Sequence, residues 1–260
     1  MMEIWTIYKM EIIKTLKRRT SLILLIPAIL VMVMSFGVST GALTFTGDAL
    51  SSNGKLACLD FVTTIWAFFN TLGIWGILLI LVTAVQFSGE ITSGQIKMTL
   101  LRIGKRGPII VAKFCALLTT TFGAFVLFTL SAGAGYYLFV ADSTMGNGSF
   151  TSSMIDLPNM LAMIGFIFLH LALFMAVTLL AGLFLSPFIA FIISLVSLFA
   201  LNYLITTNAV DLLKYSALSA SNHLLAGQTA EWGPALLSSL VIIACILTLT
   251  SLFFKRMDIK

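Results

Sequence analysis

The sequence predicts an all-α membrane protein with six transmembrane helices. Of the 260 residues, 59% are hydrophobic and only 10% are charged, whereas about a quarter of the residues in a soluble domain are charged. The apolar residues also form long runs, and about twenty such residues cross the hydrocarbon core of a bilayer as one helix. A soluble core of this size could not cover so much apolar surface, so the excess must face lipid.

Residues 1–19 precede the first apolar run and predict an amphipathic helix on the inner membrane surface. Their apolar members recur at helical spacing, and they are Ile4, Trp5, Tyr8, Ile12 and Leu16. Four basic residues lie elsewhere on the helical wheel, and they are Lys9, Lys14, Lys17 and Arg18. The alternative is that this segment is only the basic flank that orients the first span.

Six apolar segments follow, and each is long enough to span a bilayer. They cover residues 21–42, 61–87, 114–139, 159–184, 187–206 and 233–254. The uncharged stretch from Leu157 to Val210 suits two helices joined by a tight hairpin, with its break at Ser186-Pro187, because proline lacks an N–H and restricts the residue before it. Polar residues 207–231 are expected to be partly helical. Residues 1–260 therefore form one transmembrane domain.

The basic residues predict that both termini are cytoplasmic. Thirteen of the fifteen lie in the amino tail, in the segment 88–113 or in the carboxyl tail, and only Lys55 and Lys214 lie on the opposite side. This is the positive-inside asymmetry of membrane proteins. The net charge of +5 therefore reports membrane orientation, and we expect no nucleic-acid partner.

No enzymatic or metal-binding motif occurs in the sequence. The three cysteines (Cys58, Cys115 and Cys245) have no metal-binding spacing and imply no disulfide framework. GxSxG, HExxH and paired-carboxylate motifs are absent, and the two histidines lie far apart. We therefore expect a chain that is not itself an enzyme and binds no cofactor or metal.

The segment 88–113, between spans 2 and 3, predicts a short amphipathic helix. Glu90 ends span 2, and Gly94 allows a turn. Residues 95–101 can then form one or two helical turns, with Ile96, Leu100 and Leu101 on an apolar side and Lys97 opposite. Such a helix along the membrane is either a docking element or an ordinary basic loop that fixes the topology.

This segment resembles the permease subunits of type 2 ABC exporters. The matching residues are Glu90, Gly94, Ile96, Lys97, Leu100, Leu101, Arg106 and Lys113. In that family the stretch is the coupling helix, which sits in a groove of the ATPase subunit. The six-span layout with an amphipathic start is similar too. The sequence departs from the pattern at Gln95, where the family often has threonine, and at Gly107-Pro108.

The resemblance implies partners, because the chain has no ATPase motif of its own. Gly54-Lys55 and Gly104-Lys105 are not followed by the Ser or Thr of a Walker A loop. The resemblance implies two separate ATPase chains that bind ATP and Mg²⁺, and a second permease chain, identical or different. It also implies a bacterial plasma membrane and export of an amphipathic peptide, antimicrobial or drug. A secondary transporter, channel or assembly factor is the alternative.

Polar residues inside the spans are candidates for a transport pathway. They are Asn70, His170 and Asn202. The alternative is hydrogen bonding between helices, which is common in membrane bundles. No span has a charged residue near its centre, which weakens the ion-coupled alternative. Five aromatic residues match an interfacial belt at the outer ends of the spans, and they are Trp66, Tyr136, Tyr137, Tyr203 and Trp232.

Overall fold

The computed structural model describes residues 2–43, 55–103, 107–151, 156–226, 228 and 232–256, and within these ranges it has ten α-helices and no strand. The helices are α1 Met2–Lys17, α2 Ile26–Ser39, α3 Cys58–Thr71, α4 Ile74–Thr92, α5 Gln95–Ile103, α6 Gly107–Gly135, α7 Leu157–Phe184, α8 Pro187–Thr206, α9 Ala217–Leu225 and α10 Trp232–Arg256. Two 3-10 segments, Arg19–Leu25 and Asp211–Tyr215, and one π-helical turn, Tyr136–Val140, complete the helical structure.

Within the described residues, six helical segments are long and apolar enough to cross a membrane, as predicted. They are Arg19–Ser39, Ile74–Thr92, Gly107–Val140, Leu157–Phe184, Pro187–Thr206 and Trp232–Arg256. Only Leu185 and Ser186 separate α7 from α8, which begins at Pro187, the predicted break. The chain is therefore an all-helical protein with the character of an integral membrane protein.

The predicted second span, residues 61–87, is not one continuous helix. The structure divides it into α3 and α4 at Gly73, whose φ of 69° lies in the left-handed region. Glycine adopts this conformation without the steric cost of a side chain. The Phe199 ring of α8 also lies 2.9 Å from the position that a Cβ would occupy. The hydropathy pattern could not reveal this break, because apolar residues continue through it.

Helices α4, α6 and α7 form the buried centre of the bundle, whereas α8 and α10 expose most of their apolar side chains. The broken pair α3 and α4 runs antiparallel to α6. At one end Lys113 of α6 pairs with Glu90 of α4. At the other end the Tyr136 hydroxyl donates to the Leu56 carbonyl, over 2.8 Å, just before α3 begins.

Large aromatic side chains fill the centre of this bundle. Trp66 of α3 and Trp75 of α4 stack with ring centroids 5.8 Å apart, and both contact Phe125 and Phe128 of α6. The Trp66 indole N–H donates to the Thr129 hydroxyl over 3.1 Å. Aromatic rings bury much apolar area and favour such edge contacts. Side chains therefore fill the centre of the bundle that this single chain forms.

The prediction of an interfacial aromatic belt is wrong for two of its five residues. Trp66 and Tyr136 are fully buried in the bundle. Tyr137, Tyr203 and Trp232 are exposed, as a belt requires. Trp66 was misplaced because hydropathy does not distinguish a helix face that contacts lipid from one that contacts other helices.

Helix α1 packs against α6, and its buried face is not its apolar face. Ile7, Glu11 and Thr15 are buried, whereas Trp5 and Leu16 are more than half exposed. The helix is present where the sequence predicted it, but its apolar side points away from the protein. This leaves the apolar side available to lipid and directs polar groups toward the bundle.

Candidate functional site: an ion-pair cluster beside helix α5

A cluster of charged side chains lies where α1, α4 and α6 meet. Glu90 is at its centre, in the last turn of α4, with only 2% of its surface exposed. We call Glu11, Lys14, Arg18, Glu90 and Lys113 the Glu90 cluster. The end of the bundle that carries it is the α1 end.

Three cations contact the Glu90 carboxylate. The Lys14 Nζ and the Arg18 Nη2 each lie 2.5 Å from its Oε1. Lys113 of α6 pairs with its Oε2. Lys113 also lies 2.7 Å from the Oε2 of Glu11, so two carboxylates share it.

Hydrogen bonds extend the cluster to the neighbouring elements. Arg18 donates to the Gln86 carbonyl over 3.2 Å and to the Gln95 side chain, at the start of α5, over 3.3 Å. The Gln86 amide donates to the Ser21 hydroxyl over 2.8 Å. The cluster therefore joins α1, the first span, α4, α5 and α6 through polar contacts.

The charges of the Glu90 cluster pair with one another, so the loss of one member would leave another charge without its partner. Glu11, Glu90 and Lys113 are buried, and a buried charge is expensive unless it is paired. The three cations outnumber the two carboxylates. Removing Glu90 would leave the buried Lys113 facing the partly exposed cations Lys14 and Arg18, so the geometry of α1 depends on Glu90.

Helix α5 follows directly and is anchored on one side only. Gly94, with φ of 71°, makes the turn out of α4, as its position predicted. Ile96 is fully buried, and Leu100 packs against the core. Met98 and Leu101 point outward with 70% and 83% of their surface exposed. The helix therefore presents an apolar outer face that the described part of the chain does not cover.

Three more residues of this segment were singled out in the sequence, and they are Leu101, Lys97 and Arg106. Leu101 was expected on the same side as Ile96 and Leu100, but it lies on the exposed side, because five residues rotate a helix by more than one turn. Lys97 is half-buried. Arg106 lies outside the described residues.

A cleft separates α1 from α5 beside the Glu90 cluster. Its volume is about 420 Å³. Met10 and Ile13 of α1, Met98 and Thr99 of α5, and the cluster members Glu11 and Lys14 line it. The cleft at the α1 end is therefore lined both by apolar side chains and by two charged members of the Glu90 cluster.

The α7–α8 hairpin is tied to the same end of the bundle. The Ser88 hydroxyl, two residues before Glu90, donates to the Leu185 carbonyl over 2.6 Å. Gly182 of α7 lies against Phe87 and Ser88, each 3.2 Å from the position of an added Cβ. A displacement of the end of α4 would therefore be passed to both α7 and α8.

Two of the three predicted pathway residues contact each other. The His170 Nε2 of α7 lies 2.9 Å from the Asn202 Oδ1 of α8, and the His170 ring packs edge-on against Phe174. His170 is buried. Asn70 is half-buried in α3, where its backbone carbonyl accepts a hydrogen bond from the Gly73 N–H over 2.9 Å. The His170–Asn202 pair has the geometry of an interhelical hydrogen bond.

Sequence reasoning missed three members of the Glu90 cluster. Glu11, Lys14 and Arg18 are spaced by three and four residues, which places them on one face of a helix. That spacing was the available signal. It was overlooked because charges on an amphipathic helix are normally solvated, whereas here Lys14 and Arg18 face the buried Glu90 carboxylate and Glu11 pairs with Lys113.

The fold and site define an all-helical protein with six helices able to span a membrane and a buried charge cluster at one end. No protein-family model matches the chain, and comparison with curated proteins gives no match.

Proposed function

We propose that this chain is the membrane-spanning permease subunit of an ATP-driven ABC exporter in a bacterial plasma membrane. In this proposal α5 is the coupling helix, and it docks on a separate ATPase subunit. The observation that carries the proposal is the geometry of α5. Buried Ile96 fixes the helix to the bundle while Met98 and Leu101 remain exposed for a partner.

The Glu90 cluster supports a role for α5 in transmitting movement. Arg18 bridges Glu90 and Gln95, so α5 is linked to α1 and α4 at its first residue. The Ser88–Leu185 hydrogen bond continues this linkage to α7 and α8. In our proposal a push on α5 tilts α4 and the α7–α8 hairpin together.

The packed interior supports a transport unit with two permease chains. The rings of Trp66, Trp75 and Phe128 occupy the centre of the single bundle. A pathway formed between two permease chains, each with its ATPase, avoids this obstruction. The substrate class proposed is an amphipathic peptide, antimicrobial or drug, because the exposed faces of the spans are apolar.

Substitution of Leu101 tests the docking assignment. The chain is co-expressed with each ATPase encoded beside its gene, and the complex is captured through a tag on the chain. We expect Leu101→Glu to reduce ATPase recovery at least about tenfold, which corresponds to about 1.4 kcal/mol. A charge placed in an apolar contact must be desolvated without a partner.

Leu212→Glu is the matched control, because Leu212 is 77% exposed and belongs to the polar segment before the last span. It should leave recovery unchanged. Equal recovery with both variants, or no ATPase bound by the unaltered chain, would contradict the proposal and favour a channel, secondary transporter or assembly factor.

A further inference from the structure

A second groove lies on the other side of α1, between two membrane spans. Its volume is about 250 Å³. It is lined by Leu16 of α1, by Leu22 and Leu25 of the 3-10 segment that opens the first span, and by Gly123 and Ala124 of α6. Because both of these spans are candidates to cross the bilayer, the groove opens toward lipid.

The polar atoms in the lining are already engaged by the protein. The Thr119 and Thr120 hydroxyls donate to the carbonyls of Cys115 and Ala116, each over 2.9 Å. Ser21 donates to the Thr15 carbonyl. The lining therefore behaves as an apolar surface, which suits a hydrocarbon chain better than a polar solute.

Two exposed cations are close in sequence to residues that line the groove. Lys9 precedes Ile12, a lining residue, by one helical turn, and Arg19 precedes the lining residue Ser21 by two positions. Both cations are exposed, and the Lys9 Nζ lies 5.2 Å from the centre of the exposed Trp5 ring. Basic side chains beside an apolar, tryptophan-bearing helix face attract anionic headgroups at a membrane surface.

We propose that this groove binds one anionic phospholipid from the leaflet at the α1 end. An acyl chain lies along Leu16, Leu22 and Gly123, and the phosphate lies between Lys9 and Arg19. The lipid would fill the angle between α1 and α6 and hold α1 against the bundle. This inference goes beyond the exporter proposal and does not depend on an ATPase.

Lipid retention by the purified chain tests the proposal. The chain is extracted in detergent, supplied with phosphatidylglycerol or phosphatidylcholine of identical acyl chains, and examined by native mass spectrometry. We expect one phosphatidylglycerol to be retained at detergent concentrations that remove phosphatidylcholine. Equal retention of the two lipids would overturn the proposal.

Gly123→Leu fills the groove, and Gly133→Leu is its matched control on the same helix. An added Cβ meets no atom within 4 Å at either position. Gly123→Leu should abolish retention of phosphatidylglycerol, and Gly133→Leu should preserve it. Equal retention by the two variants would place any bound lipid elsewhere and overturn the proposal.

Two further measurements remain decisive if Gly123→Leu fails to fold. Phosphatidylglycerol with a photoreactive acyl chain should crosslink the unaltered chain within residues 12–25 or 119–124, and crosslinks confined to other segments would contradict the site. The double variant Lys9→Gln/Arg19→Gln should lose the preference for phosphatidylglycerol. An undiminished preference would rule out these cations as the headgroup site.

Discussion

At the scale of single residues, Glu90 is the most consequential side chain of the candidate site. Its carboxylate faces Lys14, Arg18 and Lys113 and is almost fully buried. Glu90→Gln should therefore destabilise the fold by about 3–5 kcal/mol, the usual effect of breaking a buried ion pair. The measurement is the thermal unfolding midpoint of the purified chain in detergent.

Asp142→Asn is the control for Glu90→Gln, because Asp142 is exposed in the turn after α6. It should leave the midpoint unchanged. If the two variants unfold at the same temperature, the Glu90 cluster does not hold α1, α4 and α6 together.

His170 and Asn202 allow a second test at this scale. If their contact is only an interhelical hydrogen bond, each single substitution to leucine should destabilise the fold. The double variant should lose less stability than the sum of the losses in the two single variants. The difference is the coupling energy, which should be about 0.6 kcal/mol and at most about 1.7 kcal/mol. Stability is again measured as the thermal unfolding midpoint in detergent, and the double variant should still transport its substrate.

Transport by the His170→Leu/Asn202→Leu variant distinguishes the two interpretations of these residues. A stable double variant that no longer transports would assign the pair to the substrate pathway. Retained transport would assign it to packing between α7 and α8, which its 2.9 Å contact favours.

At the scale of secondary structure, the break between α3 and α4 is the feature that shapes the bundle. It turns the chain so that Trp66 and Trp75 stack on each other and on α6. Gly73→Ala should cost about 1–3 kcal/mol, because alanine is strained at this φ and its Cβ would lie 2.9 Å from the Phe199 ring. The unfolding midpoint should fall accordingly.

Gly165→Ala provides a control of the opposite sign. Gly165 lies within α7, and an added Cβ there meets no atom within 4 Å. Alanine should stabilise this helix by up to about 1 kcal/mol, since glycine is the weaker helix former. A Gly73→Ala variant as stable as Gly165→Ala would show that the break does not require glycine.

At the scale of the whole molecule, the even number of candidate spans in the described residues makes a prediction about topology. Six crossings return the chain to the side on which it began, and the basic residues predict that this side is the cytoplasm. A green fluorescent protein fused after Lys260 should fluoresce. Alkaline phosphatase fused after Leu212 should be active, because the segment 207–231 is expected outside.

Exchanging the two reporters gives the control for this topology. Alkaline phosphatase after Lys260 and green fluorescent protein after Leu212 should both be inactive. Activity in either exchanged fusion would contradict the orientation, and with it the access of a cytoplasmic ATPase to α5.

The sequence by itself determined the fold class, the number of candidate spans and the position of the short helix α5. These features depend on local properties: hydropathy over about twenty residues, helical periodicity, and the backbone chemistry of Gly94 and Pro187. Each can be evaluated without knowing which helix packs against which.

Tertiary structure alone decided which faces are buried. Glu90 was identified from the sequence, but its partners Lys14 and Arg18 lie more than seventy residues away. Leu101 and Trp66 were misplaced for the same reason, since an apolar side chain in a membrane protein can face lipid, a partner or the core. Hydropathy measures the cost of water contact, and only packing between helices distinguishes these three environments.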